Sequence, residues 1–391
     1  MQVPLLDLKA QYAGIREEVR SAVDRVLESQ RFILGPQVEA LEKEIAAFCG
    51  AAHAVGLASG TDALLLSLKA AGVGPDSAVV TVPYTFFATA GAIVNLGARP
   101  LFVDIEEAGF NMDPACLSSF LKEECSFNLT MRRLVHKASS REVRAILPVH
   151  LYGQCADMRE ILEIADRYGL PVVEDSCQAL GATYGGRGAG TMGAGGCISF
   201  FPSKNLGGAG DGGMVVTNNG EIAARVRLLR THGGARRYYH SVVGYNSRLD
   251  ELQAAILRVK LAHLAGWNEG RRRNAAAYEA DFSAAGLTPH VTAPPVLPDR
   301  DHIYHQYVVR CQRRGELKAH LTAKGIGTEI YYPVSLHQQE CFGYLGYRPS
   351  DFPHSRKAAQ ETLALPVYAE LSAEQRSYVV SSIAEFYMSS R

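Results

Sequence analysis

The sequence predicts an α/β protein in which a mainly parallel, helix-covered sheet precedes a smaller α+β lobe. Three observations predict it. Short apolar runs alternate with longer stretches of helical period up to residue 217, which is the pattern of strand-helix-strand units. The turn Ser59-Gly60-Thr61-Asp62, His150, Asp175 and a glycine-rich segment around Lys204 fall at or after the ends of those runs, where parallel sheets bind ligands. After a long helix the pattern changes, beginning with the proline-rich stretch 289–298.

Taken in order, strands are predicted over 53–58, 78–82, 100–103, 143–149, 171–174, 196–201 and 214–217, with helices over 61–71, 86–96 and 157–168. The runs are apolar almost throughout, as strands covered on both faces require. Ser247-Arg248-Leu249-Asp250 reads as the cap of a long helix through Leu252, Ile256 and Val259, interrupted at Gly266. That helix links two lobes. Segments 304–309 and 327–332 and a helix over 373–388 build the second. Residues 121–142, with Arg132, Arg133, Lys137 and Arg141, are polar with weak period and read as a surface insertion.

Composition narrows the function classes. The 391 residues, 47% hydrophobic, suffice for a large core in two domains. Lys+Arg and Asp+Glu number 40 each, so no global field draws in nucleic acid or an anionic membrane. The eight cysteines are dispersed, with no Cys-x-x-Cys pair and no compact metal-ligand cluster, as in a reducing cytoplasm, and no metal is expected. Residues 1–9 lack the basic start and apolar core of an export signal, and no apolar run approaches the roughly 20 residues that cross a bilayer.

The chemistry is concentrated at Lys204 and Asp175. Lys204 precedes Gly207, Gly208, Gly210, Gly212 and Gly213, and glycine lets a backbone approach a ligand closely. Asp175 ends the run Val172-Val173-Glu174-Asp175. Pyridoxal phosphate needs such a pair: a lysine amine for a Schiff base with its aldehyde, and a carboxylate that keeps its pyridine nitrogen protonated. Two unit charges about 4 Å apart at an effective dielectric near 20 attract by roughly 4 kcal/mol, or about three pKa units. That bias decides the ring's protonation at neutral pH.

Other residues have two readings each. Gly60 and Thr61 open a helix, whose free amides and dipole suit a phosphate, while a Ser/Thr helix cap uses the same pattern. Phe86 can stack on the pyridine ring or fill the core. Gln178, three residues after Asp175, can reach the ring hydroxyl. A nucleotide phosphate loop of the Gly-x-x-x-x-Gly-Lys-Ser/Thr kind is excluded, because here the lysine precedes the glycines.

Leu34-Gly35-Pro36, Ser59 to Leu64, Tyr84 to Thr89, His150 to Gln154, Glu174 to Ala179, Ser199 to Gly213 and Gly244 to Ala255 together resemble the nucleotide-sugar aminotransferases of the DegT/DnrJ/StrS type. The resemblance covers nearly the whole chain. It implies the pyridoxal phosphate-dependent transferase fold type I, that of aspartate aminotransferase. In that fold a large domain, 1–260, carries a mostly parallel seven-stranded sheet, and a smaller α+β domain, 261–391, receives residues 1–30. It also implies roles. Lys204 is the Schiff-base lysine and proton shuttle, Asp175 the pyridine partner, Gln178 a ring-hydroxyl contact and Phe86 the stacking residue. Gly60, Thr61 and Ser199 hold the phosphate, and Asn246 reaches the partner's phosphate in a homodimer. Cys177 stands where alanine is more usual in the family, and the 121–142 insertion is long.

The implied reaction takes an amino group from an amino acid, L-glutamate by expectation, to a nucleotide-linked keto-sugar, with a mild preference for a 3-keto position. Related sugar dehydratases carry histidine in place of the lysine. A dehydratase and a regulatory cofactor-binding protein on the same scaffold are the competing classes. Arg236-Arg237-Tyr238-Tyr239-His240 offers cations and aromatics to a diphosphate or forms a solvated loop. Arg271-Arg272-Arg273 reads as an exposed helix face. His150, Tyr184, Tyr331 and His337 are further sugar-contact candidates.

Overall fold

The computed structural model describes residues 1–130, 133–236 and 238–388; Arg132 and Arg237 lie outside them. Arg99–Phe102, Ser77–Thr81 and Glu142–Ile146 run parallel, in that order. Val173–Asp175 and Gly195–Ser199 form a second parallel pair. Parallel bridges from Ile146 to Val172 and from Val149 to Asp175 join the two groups. One strand runs against the others, in keeping with a mostly parallel sheet: Gly213–Thr217 pairs antiparallel with both Gly195–Ser199 and His53–Leu57. Its connection from Ser199 is a helix-free loop, and without a crossover helix the chain returns antiparallel.

Alternate strand residues point to opposite faces, and the apolar runs fill both. Val55, Leu57, Val79, Leu147, Val173 and Val215 meet the helices Gly60–Ala70, Ala88–Asn95 and Gly220–Leu229 on one face. Ile198, Met214 and Val216 face the other way, onto Val38, Leu41 and Ile45 of helix Pro36–Cys49. Burying each such side chain contributes about 1.5–3 kcal/mol. The result is a rigid sheet whose strand ends are fixed relative to one another.

The long helix runs unbroken over Glu251–Ala284, 34 residues, so the expected interruption at Gly266 is absent. A helical glycine costs only about 1 kcal/mol, and Leu264 and Asn268 on either side are buried. The cap also differs. Asp250 is the capping residue and makes no side-chain cap bond, while Ser247 Oγ donates instead to Asp62 Oδ2 at 2.6 Å.

Beyond the helix, Val291–Thr292, Tyr307–Cys311 and Thr362–Leu365 form an antiparallel sheet. Tyr278, Phe282, Leu317, Leu321, Val379 and Ile383 pack around it. Segment 327–332 is not a strand: it makes one bridge, Glu329 to Ala364. Val3 is buried in this cluster and pairs with Ile326, whereas helix Leu8–Ser29 lies on the long helix through Ile15, Val19 and Ile256. Within 121–142, Cys125–Asn128 and Arg133–His136 fold as an antiparallel hairpin that joins the sheet edge at Glu142, with Phe127 and Leu129 exposed.

Candidate active site

Lys204 lies in the loop between Gly195–Ser199 and Gly213–Thr217, and backbone bonds set the shape of that loop. Lys204 N–H donates to Phe201 O at 2.8 Å, and Gly208 N–H to Phe200 O at 2.7 Å. Glycine is required at Gly207, where a Cβ would lie 2.2 Å from Pro202 O. The long helix holds the loop from outside: Lys260 Nζ donates to Gly207 O at 2.6 Å, and Gln253 Oε1 accepts from Ala209 N–H at 2.8 Å. Beside the lysine, Asn205 Nδ2 donates to Asn268 Oδ1 at 2.7 Å, and its Oδ1 lies 3.1 Å from His305 Nδ1.

The Lys204 side chain borders a cavity of about 330 Å³. Desolvation lowers the pKa of its amine below the ordinary lysine value, against the raising pull of Cys177 and Asp175. Asp175 is buried at the end of its strand, on the same cavity. Its Oδ2 accepts from Thr89 Oγ1 at 2.7 Å and its Oδ1 from Cys177 N–H at 3.2 Å. The neighbouring Glu174 points to the other face. It accepts from the N–H groups of Gly190, Met192 and Gly193 at 2.8, 2.7 and 2.6 Å and contacts His150 Nε2 at 2.8 Å.

The helix start is both capped and set against the cavity. Ser59 Oγ caps the helix by accepting from Asp62 N–H at 3.1 Å, while Gly60 and Thr61 line the cavity. A Cβ on Gly60 would lie 2.6 Å from Ser199 Cβ, so this glycine lets the helix press against the strand end that carries Ser199. Phe86 is 55% exposed on the cavity wall, its ring centroid 6.1 Å from that of Tyr332. Gln178 Oε1 accepts from Tyr152 N–H at 2.8 Å and Nε2 donates to Tyr332 Oη at 2.9 Å.

Gly60, Thr61, Phe86, Asp175, Gln178, Ser199 and Lys204 therefore border one cavity. Asn246 does not: it is exposed and bridges to Thr231. Of the sugar-contact candidates only Tyr331 lines the cavity. His150 is fully buried against Glu174, Tyr184 Oη donates to Asp157 Oδ1 at 2.6 Å, and His337 packs on Phe352. Arg271 is not on an exposed face but buried, because the long helix turns it toward the C-terminal lobe.

Thr89, which braces Asp175, and His305, Gln306 and Tyr332, which line the cavity, were not singled out in the sequence. Thr89 lies within the Tyr84–Thr89 motif; the other three come from the segments 304–309 and 327–332, which the sequence marks as parts of the second lobe without marking these three as site residues.

Among the described residues no helix is long and apolar enough to cross a membrane, and no group of three or more His, Cys, Asp or Glu could hold a metal ion. Residues 13–384 match the model of the DegT/DnrJ/EryC1/StrS aminotransferase family. A Geobacillus stearothermophilus protein named pleiotropic regulatory protein is 48% identical over 99% of both chains. A UDP-N-acetyl-3-dehydro-alpha-D-glucosamine 3-aminotransferase from Acidithiobacillus ferrooxidans is 42% identical over 97% of both. The solved structure of S. venezuelae DesV, described as in complex with a ketimine intermediate, is 40% identical over 98% of both chains, with a TM-score of 0.90.

Proposed function

The chain belongs to the DegT/DnrJ/EryC1/StrS aminotransferase family, and on that premise we propose that it is a pyridoxal phosphate-dependent enzyme moving an amino group from L-glutamate to a nucleotide-linked 3-keto-sugar. The carrying observation is that a lysine with a lowered pKa and a buried, braced aspartate border one cavity. The 3-keto acceptor follows the activity named for the Acidithiobacillus relative.

The residues present fit the cofactor. Gly60, Thr61 and Ser199 offer amides and hydroxyls for its phosphate at a helix start, and Phe86 offers a ring face. Asp175, fixed by Thr89 and Cys177, would partner the ring nitrogen, and Gln178 the ring hydroxyl. When bound, pyridoxal phosphate supplies an electron sink that lets a proton leave a substrate carbon. Lys204 is the group that would move that proton between the substrate carbon and the cofactor's C4′ carbon, once for the donor and once, in reverse, for the acceptor. Its lowered pKa keeps more of its amine neutral, as a base requires.

Exposed Asn246 would complete the phosphate site of a partner subunit in a homodimer. The division at 260/261 then puts the joined parallel groups, read as one seven-stranded sheet with its antiparallel member, in the large domain. The enzyme acts in the cytoplasm on this reading. A purely regulatory role leaves the lysine and aspartate without a task, and a dehydratase would lack the lysine.

An absorbance spectrum of the purified holoenzyme, before and after L-glutamate, tests the reading. A visible band that shifts with glutamate and is absent from Lys204→Ala supports it. No band after adding pyridoxal phosphate would sink the cofactor assignment, and a band that glutamate leaves unmoved would sink the donor.

A further inference from the structure

Arg271 is 4% exposed. Its Nη1 donates to the carbonyls of Tyr304, His305 and Val367 at 3.0, 3.2 and 2.9 Å, and its other nitrogens make no hydrogen bond among the described residues. Its neighbour on the helix, Arg272, has an ion pair with Glu269; among the described residues Arg271 has none, and Glu370 is the carboxylate whose charge it feels at longer range. Burial lowers its pKa to about 10, so it stays a cation at neutral pH. A buried cation is costly unless an anion or further acceptors meet it.

Arg271 borders a cavity of about 60 Å³, walled also by Leu6, Leu365 and Val367. Ser203, His305, Gln306 and Tyr331 line both this cavity and the one that Lys204 borders, so the two adjoin. Gln306 Oε1 is buried without a partner, and turning its amide over presents an N–H₂ instead. The space suits a carboxylate and is too small for a sugar nucleotide's diphosphate. A guanidinium fork matches a carboxylate in shape and charge.

We propose that Arg271, with Gln306, binds a carboxylate of the amino donor in this side cavity. The inference rests on the aminotransferase reading and adds the site that selects its donor.

The test titrates holoenzyme with L-glutamate, following the cofactor absorbance, in wild type, Arg271→Gln and Leu6→Phe. Loss of a buried charged partner is expected to raise the apparent Kd for glutamate about 30-fold or more in Arg271→Gln. The reverse half-reaction with an amino-sugar nucleotide and the affinity for pyridoxal phosphate should stay as in wild type. Because Arg271 also ties three carbonyls, Leu6→Phe, which narrows the cavity without touching those bonds, should weaken glutamate in the same sense. Glutarate should compete with glutamate in wild type and lose that competition in both variants. A folded variant of either kind with an unchanged glutamate Kd overturns the proposal, as does an equal loss on the amino-sugar side, which would assign the cavity to the acceptor. If wild type reacts with no amino acid, the aminotransferase reading itself fails, an outcome distinct from an unchanged variant.

Discussion

Glu174 and Asp175 are adjacent, both carboxylates and both buried, yet they serve opposite faces of one strand. Glu174 is surrounded by donors, three backbone N–H groups and His150, so its bonding capacity goes into holding the turn 190–193. Asp175 has one hydroxyl and one N–H, and it borders the cavity. A carboxylate with full bonding stabilises a fold, whereas one with capacity left over on a cavity can meet a ligand. The period-2 geometry of the strand separates the two roles across a single peptide bond.

Asp175→Asn should break the comparison on its chemical side. On the three-unit bias of a carboxylate beside the ring nitrogen, kcat should fall on the order of 10³-fold, with the denaturation midpoint little changed; near-normal turnover would remove Asp175 from the mechanism. Glu174→Gln should break it on the structural side. An amide N–H₂ facing backbone donors leaves buried groups unsatisfied, at a cost of about 3 kcal/mol in unfolding free energy by urea titration. Turnover per folded molecule should stay within a few-fold, and a loss as large as that of Asp175→Asn would erase the distinction. Thr89→Val sharpens it: losing the hydroxyl that positions Asp175 should lower kcat about 10-fold, and pairing it with Asp175→Asn should add little.

The sheet was legible because its strands are apolar on both faces; the edge hairpin Cys125–Asn128 and Arg133–His136 was not, because its segment is polar with weak period, nor was the direction of Gly213–Thr217, which the loop that feeds it sets. Lys204 and Asp175 were legible because glycines and a strand end mark them. His305, Gln306 and Tyr332 were not, because they reach the cavity from two segments more than 100 residues downstream of Lys204, whose strand-like pattern marks a lobe and not a site. Gly266 misled because propensity is a weak force beside the packing of a long helix. Arg271, in a run of three arginines, could be told from its neighbours only by knowing which side of the helix meets the C-terminal lobe.

Gln253, Lys260, Asn268 and Arg271 all project from the one helix Glu251–Ala284. The first three grip the lysine loop and its flank, and the fourth meets the side cavity. At about 1.5 Å of rise per residue, Gln253 and Arg271 stand roughly 27 Å apart along its axis, and Asn268 and Arg271 roughly 4.5 Å. The helix therefore serves as a measuring rod with fixed graduations. A one-residue insertion between positions 260 and 268 would turn the later marks by about 100° away from the loop, so the lysine loop and the side cavity keep their spacing only while the helix keeps its length.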